Sequence, residues 1–257
     1  MRVAALYDIH GNLPALDAVL EDVRRAGVDR IVVGGDVVPG PMPRESLQRL
    51  LDLELPVEFI HGNCELAVLA QMAAPDAGSA TYWGTASGRP LPEPYRVRMR
   101  WTAEQLPEYE SVFAGWPRTL RLEIAGLGDA LFCHGTPRSE TEVFTRLTAE
   151  DRLVPLFEDL RVSVVVCGHT HMQFDRMVGR TRVVNAGSVG MPFGDPGAFW
   201  ALLGPDLELR RTTYDLARAA DLIRGTPYPE ADEAATSLLR PPSEAEMLEM
   251  YGKAELT

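Results

Sequence analysis

Four of the five histidines in this 257-residue chain follow short apolar segments, in motifs that also contain glycine. The Asp and Asn residues of similar motifs stand at equivalent places. The carboxyl ends of strands in α/β sheets are where ligands bind, so we expect these side chains to meet at one edge of the fold. The resulting set of nitrogen and oxygen donors consists of Asp8, His10, Asp36, Asn63, His134, His169 and His171.

Two of the motifs carry donors two residues apart, Asp8 with His10 and His169 with His171. In extended backbone, residues i and i+2 point to the same side, so each pair directs two donors at one place. Imidazole and carboxylate together suit Mn, Fe, Co, Ni or Zn better than Ca or Mg. Seven donors exceed the need of one such ion, and two ions about 3.5–4 Å apart fit the number of donors.

Taken one at a time, these residues have ordinary structural explanations. A single histidine at a strand end is more often a hydrogen-bonded structural residue than a ligand. Asp8 and Asp36 are of the type that caps helices, and Asn63 is of the type that forms turns. The prediction of a metal site therefore depends on the whole set.

The elements that must position this set differ between the two halves of the chain. Apolar segments over 2–7, 31–33 and 57–60 alternate with helical spacing over 16–23 and 47–51, which indicates a largely parallel sheet covered by helices. The second half contains a hairpin over 120–133, a helix near 149–160 and a buried strand over 162–167. Shorter strands of antiparallel character are predicted over 173–178, 181–184, 199–203 and 207–212.

Two further segments are predicted to lie outside this framework. Residues 66–117 are rich in proline and glycine before a weakly helical part, and we interpret them as an inserted helical cap. Residues 213–257 have helical spacing and are predicted to form a C-terminal extension. The chain as a whole, 1–257, is interpreted as one domain.

The motifs taken together resemble the calcineurin-like metallophosphoesterase superfamily, and most closely its small bacterial and archaeal phosphodiesterase branch. The resemblance covers roughly residues 2–212 and implies an α/β (α+β) fold, a four-layer αββα sandwich of two mixed β-sheets flanked by helices. It implies that Asp8, His10 and His171 hold one ion, that Asn63, His134 and His169 hold the other, and that Asp36 bridges them. The motifs are Asp8-x-His10-Gly11-Asn12, Gly35-Asp36, Gly62-Asn63, His134-Gly135, Gly168-His169-x-His171 and Asn185-Ala186-Gly187-Ser188.

The implied activity is that of a dinuclear metal-dependent hydrolase, a phosphodiesterase or phosphatase that acts on small phosphorylated molecules. A metal-bridging hydroxide would attack phosphorus, and manganese is the expected metal, with Fe, Ni, Co or Zn as alternatives. Many family members have a histidine after Gly-Asn that helps to protonate the leaving group. Cys64 stands at that place here and is a candidate catalytic residue. Asn12 and Arg138 are candidate substrate-binding residues.

Composition limits the partners of the protein. The formal net charge of −12 opposes strong binding to nucleic acid, although Arg96, Arg98 and Arg100 keep a nuclease among the hypotheses. Three cysteines, a short apolar N-terminus and the lack of a run of about 20 apolar residues favour a soluble, cytoplasmic protein without a membrane partner. A non-catalytic metal-binding or protein-interaction module of the same fold is the other alternative. The oligomeric state and the physiological substrate stay open.

Overall fold

The computed structural model describes residues 1–73 and 92–256, which form two mixed five-stranded sheets packed face to face. The first sheet contains β1 (Val3–Leu6), β2 (Arg30–Val33), β3 (Val57–Phe59), β9 (Ala198–Leu203) and β10 (Leu207–Thr212). Its strand order is β10–β9–β1–β2–β3. The strands β1, β2 and β3 are parallel, and β9 is antiparallel to both of its neighbours.

The second sheet has a parallel centre with an antiparallel strand at each edge. It contains β4 (Thr119–Ile124), β5 (Gly128–Cys133), β6 (Val164–Cys167), β7 (Phe174–Val178) and β8 (Thr181–Asn185). Its order is β4–β5–β6–β8–β7, in which β5, β6 and β8 are parallel. The predicted hairpin is formed by β4 and β5, whose register ends with Ile124 opposite Gly128.

Helices occupy the sequence between the strands and after them. They are α1 (Leu13–Ala26), α2 (Pro43–Leu51), α3 (Asn63–Ala73), α4 (Glu93–Gln105), α5 (Glu110–Ala114), α6 (Glu150–Phe157), α7 (Leu216–Arg224), α8 (Ala231–Leu239) and α9 (Glu244–Gly252). The bounds of α1 follow from its caps: the Asn12 carboxamide accepts the Ala15 N–H, and Gly27 ends the helix in a left-handed conformation. Over the described residues, no helix is both long and apolar enough to cross a membrane.

Alternation of side chains along the short strands produces the layered core. In β1 and just after it, Val3, Ala5 and Tyr7 face the second sheet, whereas Ala4 and Leu6 pack in the layer beneath the helices. Strand β6 alternates in the same way between the inter-sheet layer and the layer beneath α6. These layers confirm the predicted αββα sandwich.

The two predicted additions to the sandwich are only partly described. Residues 74–91 of the predicted cap (66–117) lie outside the described residues. On either side of them the chain is helical, and α3 starts at Asn63, three residues before the predicted boundary of the cap. The predicted extension over 213–257 contains α7, α8 and α9. The division of the chain into domain, cap and extension stays a prediction.

Candidate metal centre

The seven predicted donors come together where five parallel strands end. Three of these strands belong to the first sheet and two to the second, so both sheets contribute. Asp8 and His10 follow β1, Asp36 follows β2, Asn63 follows β3, His134 follows β5, and His169 and His171 follow β6.

Their donor atoms form overlapping groups around the Asp8 and Asp36 carboxylates, and a further group joins His10, Asp36 and Cys64. The Oδ1 atom of Asp8 lies 3.3 Å from Nε2 of His171, and 3.9 Å from Nε2 of His10. The Oδ2 atom of Asp36 lies 3.5 Å from Nε2 of His134. The ligand atoms of Asp8, His10 and His171 all lie within 4.8 Å of one another, as do those of Asp36, His134 and His169.

Asn63 joins the second of these groups. Its Oδ1 atom lies 3.0 Å from Nε2 of His134. Asp36 also lies near His10, with 3.9 Å between its Oδ2 atom and Nε2 of His10. The division of the ligands between two ions therefore stays a prediction.

The electrostatics of this cluster suit divalent cations. Asp8 is fully buried and Asp36 is 2% exposed. Among the described residues, the Oδ1 atom of Asp8 is buried without a hydrogen-bond partner. The Nε2 atoms of His10 and His171 lie only 3.2 Å apart. That contact is a hydrogen bond when one of the two rings carries its proton on Nε2. The buried Asp8 oxygen without a partner is unfavourable unless a positive charge lies beside it.

Contacts on the outer side of the imidazoles decide which nitrogen faces inward. Nδ1 of His134 donates to the carbonyl oxygen of Gly34 at 2.9 Å, and Nδ1 of His171 donates to that of Met191 at 2.6 Å. Both residues therefore offer Nε2 to a metal. His169 differs, since its Nε2 donates to the carbonyl oxygen of Thr141 at 3.2 Å and leaves Nδ1 as the ligand atom.

The pKa values of the histidines depend on their positions in the cluster. Burial disfavours the imidazolium form of His134, but Asp36 and Asp8 outweigh burial and raise its pKa to about 10. Burial lowers the pKa of His10 to about 4, with repulsion from His171 as the next cause. Burial and repulsion from His134 lower the pKa of His169 to about 4. In the metal-free chain, His134 therefore holds a proton that a metal ion must displace.

The backbone is strained at the same residues. Non-glycine residues rarely adopt positive φ, and each such residue costs about 1–2 kcal/mol. Strain of this kind persists where the surrounding structure enforces it, often at functional sites. The extended backbone that the sequence predicted for the Asp8/His10 and His169/His171 pairs is wrong, because all four residues have positive φ. Positive φ occurs at five of the predicted ligands, with values of 54° at Asp8, 47° at His10, 52° at Asp36, 64° at His169 and 58° at His171.

Glu65 is a supporting residue that the sequence analysis missed. Its buried carboxylate accepts the backbone N–H groups of Asp36 at 2.9 Å, Val37 at 2.8 Å and Gly62 at 2.8 Å, with a longer contact to Val38. It thereby holds the loop after β2 against the loop after β3. A carboxylate two residues after a predicted ligand was the available signal, but its partners lie up to 29 residues away in the chain.

The segment after β8 supports the loop that carries His169 and His171. Nδ2 of Asn185 donates to the carbonyl oxygen of Gly168 at 2.6 Å and to Oγ1 of Thr170 at 3.1 Å. The Ser188 hydroxyl donates to the carbonyl oxygen of Asp8 at 2.7 Å. These bonds tie the loops after β1 and β6 together.

Cys64, the candidate catalytic residue, lies beside the centre and is 4% exposed. Its backbone N–H donates to Oδ1 of Asp36 at 2.9 Å. Burial and the charge of Asp36 raise the pKa of the thiol well above its usual range. A thiol in this environment stays protonated, which disfavours attack by a thiolate. A catalytic role for Cys64 stays a prediction.

The two candidate substrate contacts have other partners. Asn12 is 3% exposed and caps α1, and its Nδ2 donates to the carbonyl oxygen of Gly190 at 2.9 Å. The exposed guanidinium of Arg138 forms an ion pair with Glu142 at 2.6 Å. Substrate binding by Asn12 and Arg138 therefore stays a prediction.

A cavity of about 440 Å³ elsewhere in the molecule contains none of the predicted donors. Two of its arginines have partners nearby, since Arg25 pairs with Asp22 and Arg211 donates to the carbonyl oxygen of Pro196. We therefore do not connect this cavity with the metal centre. The residues that line it are Arg2, Asp22, Arg25, Ala26, Trp200, Arg210 and Arg211.

Comparison with known proteins agrees with this geometry. The family model described as the calcineurin-like phosphoesterase superfamily domain matches residues 1–204. Phosphodiesterase YfcE of Escherichia coli strain K12 is 24% identical over 216 residues, which cover 80% of this chain and 89% of that protein.

Two solved structures extend the comparison. A metallophosphoesterase from Sphaerobacter thermophilus is 26% identical, with a TM-score of 0.68 over 93% of this chain and 98% of that one. A hypothetical protein from Pyrococcus horikoshii OT3 is 23% identical, with a TM-score of 0.75 over 92% of this chain and 97% of that one. The second likeness concerns the fold alone.

Proposed function

The chain belongs to the calcineurin-like phosphoesterase superfamily, and from that premise we propose that it hydrolyses small phosphate esters as a metal-dependent phosphodiesterase or phosphatase. The observation that carries the proposal is the buried, unpaired Oδ1 atom of Asp8 facing the Nε2 atoms of His10 and His171. Such a cluster is suited to bind cations, and phosphate esters are substrates that bound cations attract.

The proposed ligands divide between two divalent transition-metal ions, with manganese as the expected metal. Asp8, His10 and His171 would hold one ion. Asn63, His134 and His169 would hold the other, and Asp36 would contact both. When bound, such ions activate water as a nucleophile and neutralise charge on the phosphoryl oxygens.

The contribution of the chain itself is to place these donors before substrate arrives. Carbonyl acceptors fix the rings of His134 and His171, so their Nε2 atoms point inward before a metal ion binds. His134 must lose the proton that its raised pKa retains, which couples occupation of the site to pH. The strained loops hold the carboxylates beside the imidazoles.

Turnover tests the proposal directly. Protein loaded with Mn²⁺ is expected to cleave an activated aryl phosphodiester, and parallel assays of the aryl monoester report which class is preferred. His134→Ala should abolish both turnover and metal uptake. The matched control is His61→Ala, because His61 belongs to none of the groups of clustered donors. Wild-type protein that takes up metal but hydrolyses neither ester would support the non-catalytic module instead.

The nuclease alternative rests on Arg96, Arg98 and Arg100, which lie on α4. All three form ion pairs, Arg98 with Glu230 and the other two with Glu93. Paired arginines offer little free charge to a polynucleotide backbone. Cleavage of single-stranded DNA or RNA at rates above those for the aryl diester would favour the nuclease.

A further inference from the structure

The C-terminal helix α9 lies beyond residues 1–204, the part of the chain that matches the family, yet it packs against the loops that orient two proposed ligands. One of these loops includes Thr141, whose carbonyl oxygen accepts from His169. The other includes Met191, whose carbonyl oxygen accepts from His171. Both loops lie at the β6 side of the metal centre.

Residues 242–256 are bonded to both loops. The N–H of Leu256 donates to the carbonyl oxygen of Val143 at 2.8 Å, and the Glu255 carboxylate accepts from Thr148 Oγ1 at 2.6 Å. The N–H of Gly194 donates to the carbonyl oxygen of Pro242 at 2.9 Å. Arg152 also pairs with Glu255, and Arg146 with Glu244. The start and the end of this segment are therefore both fastened beside the histidine loops.

An aromatic column connects α9 with the metal centre. The Phe193 ring stacks on the ring of His171, with centroids 4.9 Å apart and an angle of 14° between the planes. The Tyr251 ring of α9 follows, 6.4 Å from Phe193. Tyr251 is 9% exposed and packs in a cluster with Val143 and Met172.

The phenol of Tyr251 keeps its proton in this environment. Burial raises the pKa of Tyr251 well above its usual range, and the charges of Asp8 and Asp36 are among the further causes. The group is therefore a hydroxyl at neutral pH and can donate a hydrogen bond. A phosphate ester is an acceptor that such a donor suits, because hydrogen bonds to anionic oxygens are stronger than neutral ones.

We propose that α9 forms a wall of the active site and that Tyr251 presents its hydroxyl to the phosphate ester bound at the metal centre. The partly buried Phe193 ring supplies an apolar surface for the organic group of the ester. This inference rests on the proposed function and adds a substrate contact from outside the matched domain.

The variant Tyr251→Phe tests the inference because it removes the hydroxyl and keeps the ring. Metal content and Tm should match the wild type, whereas kcat/KM for the aryl phosphodiester should fall about tenfold or more, mainly through KM. The Kd of inorganic phosphate for the Mn²⁺-loaded protein, measured by calorimetry, should rise by a similar factor. Tyr251→Leu removes the ring as well and should also lower Tm.

The matched control is Tyr109→Phe, which removes a hydroxyl that donates to Oε1 of Gln48 at 2.6 Å. It should leave kcat/KM and phosphate binding unchanged. Tyr251→Phe with wild-type kcat/KM and wild-type phosphate Kd would overturn the inference, as would a loss of activity that merely follows a lower Tm or metal content.

Failure of the proposed function has a different signature. Wild-type protein that binds metal and phosphate but hydrolyses no ester would refute the hydrolase, while the phosphate Kd of Tyr251→Phe would still decide the role of the hydroxyl. Wild-type protein that binds neither metal nor phosphate would overturn both proposals.

Discussion

At the scale of single residues, protons partly balance the charge of the metal centre until a cation replaces them. His134 lies between two buried carboxylates, so its pKa of about 10 leaves it protonated at pH 7.5. His10 and His169, with pKa values of about 4, are neutral at this pH. Only His134 among these three has a proton to lose when a cation binds.

We therefore predict that Mn²⁺ binding at pH 7.5 releases about one proton from His134, and that metal affinity rises with pH toward about 10. Calorimetric titrations in two buffers with different ionisation enthalpies measure the released proton. If His134→Asn still binds some Mn²⁺, that binding should release no proton. Equal heats in both buffers for the wild type would contradict the prediction.

The same group influences the stability of the metal-free protein. Because the folded-state pKa of His134 is raised from 6.5 to about 10, its stabilising effect is fully present below about pH 6.5 and is lost as the pH rises toward 10. His10 and His169 act in the opposite direction. Their lowered pKa values remove stability as the pH falls from about 6.5 to about 4.

Glu65 gives a second prediction at this scale. Glu65→Gln keeps only one of the two acceptor oxygens. The new NH₂ group then faces backbone N–H groups that have lost their acceptor. We expect the free energy of unfolding to fall by about 2–3 kcal/mol and metal binding to weaken, because Asp36 and Gly62 lose their common acceptor. Urea denaturation and metal analysis measure the two effects.

The control for Glu65→Gln is Glu58→Gln, which removes the partner of Arg30 from a half-buried ion pair. Its effect on the unfolding free energy should stay within about 1 kcal/mol. An equal decrease in the unfolding free energy of the two variants would contradict the prediction that the Glu65 contacts stabilise the fold more than this ion pair does.

The sequence indicates the residues of the centre better than the residues around it. Asp8 and His169 stand in short glycine-containing motifs, so local spacing alone draws attention to them. No such motif surrounds Glu65, Phe193 or Tyr251, because their roles depend on contacts with distant segments. Those contacts exist only after the sheets and the C-terminal segment have packed.

At the scale of secondary structure, Gly34 shows how closely the segments after the adjacent strands β1 and β2 pack. It follows β2, and a Cβ atom at this position would lie 1.9–2.2 Å from atoms of the Tyr7 ring. The Tyr7 hydroxyl donates to the carbonyl oxygen of Val166 at 2.9 Å, which links the first sheet to β6. The carbonyl oxygen of Gly34 itself accepts from His134.

We predict that Gly34→Ala lowers the free energy of unfolding by about 3 kcal/mol, because the ring of Tyr7 must move within a packed layer. Metal uptake should fall with it, since the acceptor of His134 shifts. Gly225→Ala is the control: its nearest neighbour would be 3.4 Å away, at the end of α7. Denaturant titration should find the control within about 1 kcal/mol of the wild type.

The layers of the fold are predictable because short apolar strands and helical periods appear directly in the sequence. The order of the strands is less accessible. Strand β9 pairs antiparallel with β1 across almost two hundred residues, and no local pattern reports that partner. The start of α3 is also hard to predict, because Asn63 both ends the loop after β3 and begins the helix.

At the scale of the whole molecule, the proposed metal ligands come from both halves of the sandwich. Asp8 and Asp36 belong to loops of the first sheet, whereas His134 and His171 belong to loops of the second. A cation held between them would connect the sheets at their common edge. Because the unfolded chain does not hold these groups together, such a cation binds the folded state preferentially.

Metal binding should therefore raise the thermal stability of the protein as a unit. At a thousandfold excess over Kd, one such ion stabilises the folded state by about 4 kcal/mol. For a chain of this size each kcal/mol shifts Tm by about 2–4 °C, so Mn²⁺ should raise Tm by roughly 10 °C relative to protein treated with EDTA. Differential scanning calorimetry measures the shift. His134→Ala should show little of it, and Mg²⁺ should produce less than Mn²⁺ because imidazole is a poor ligand for Mg²⁺. Equal Tm values with and without Mn²⁺ would mean that the loops of the two sheets do not share a metal ion.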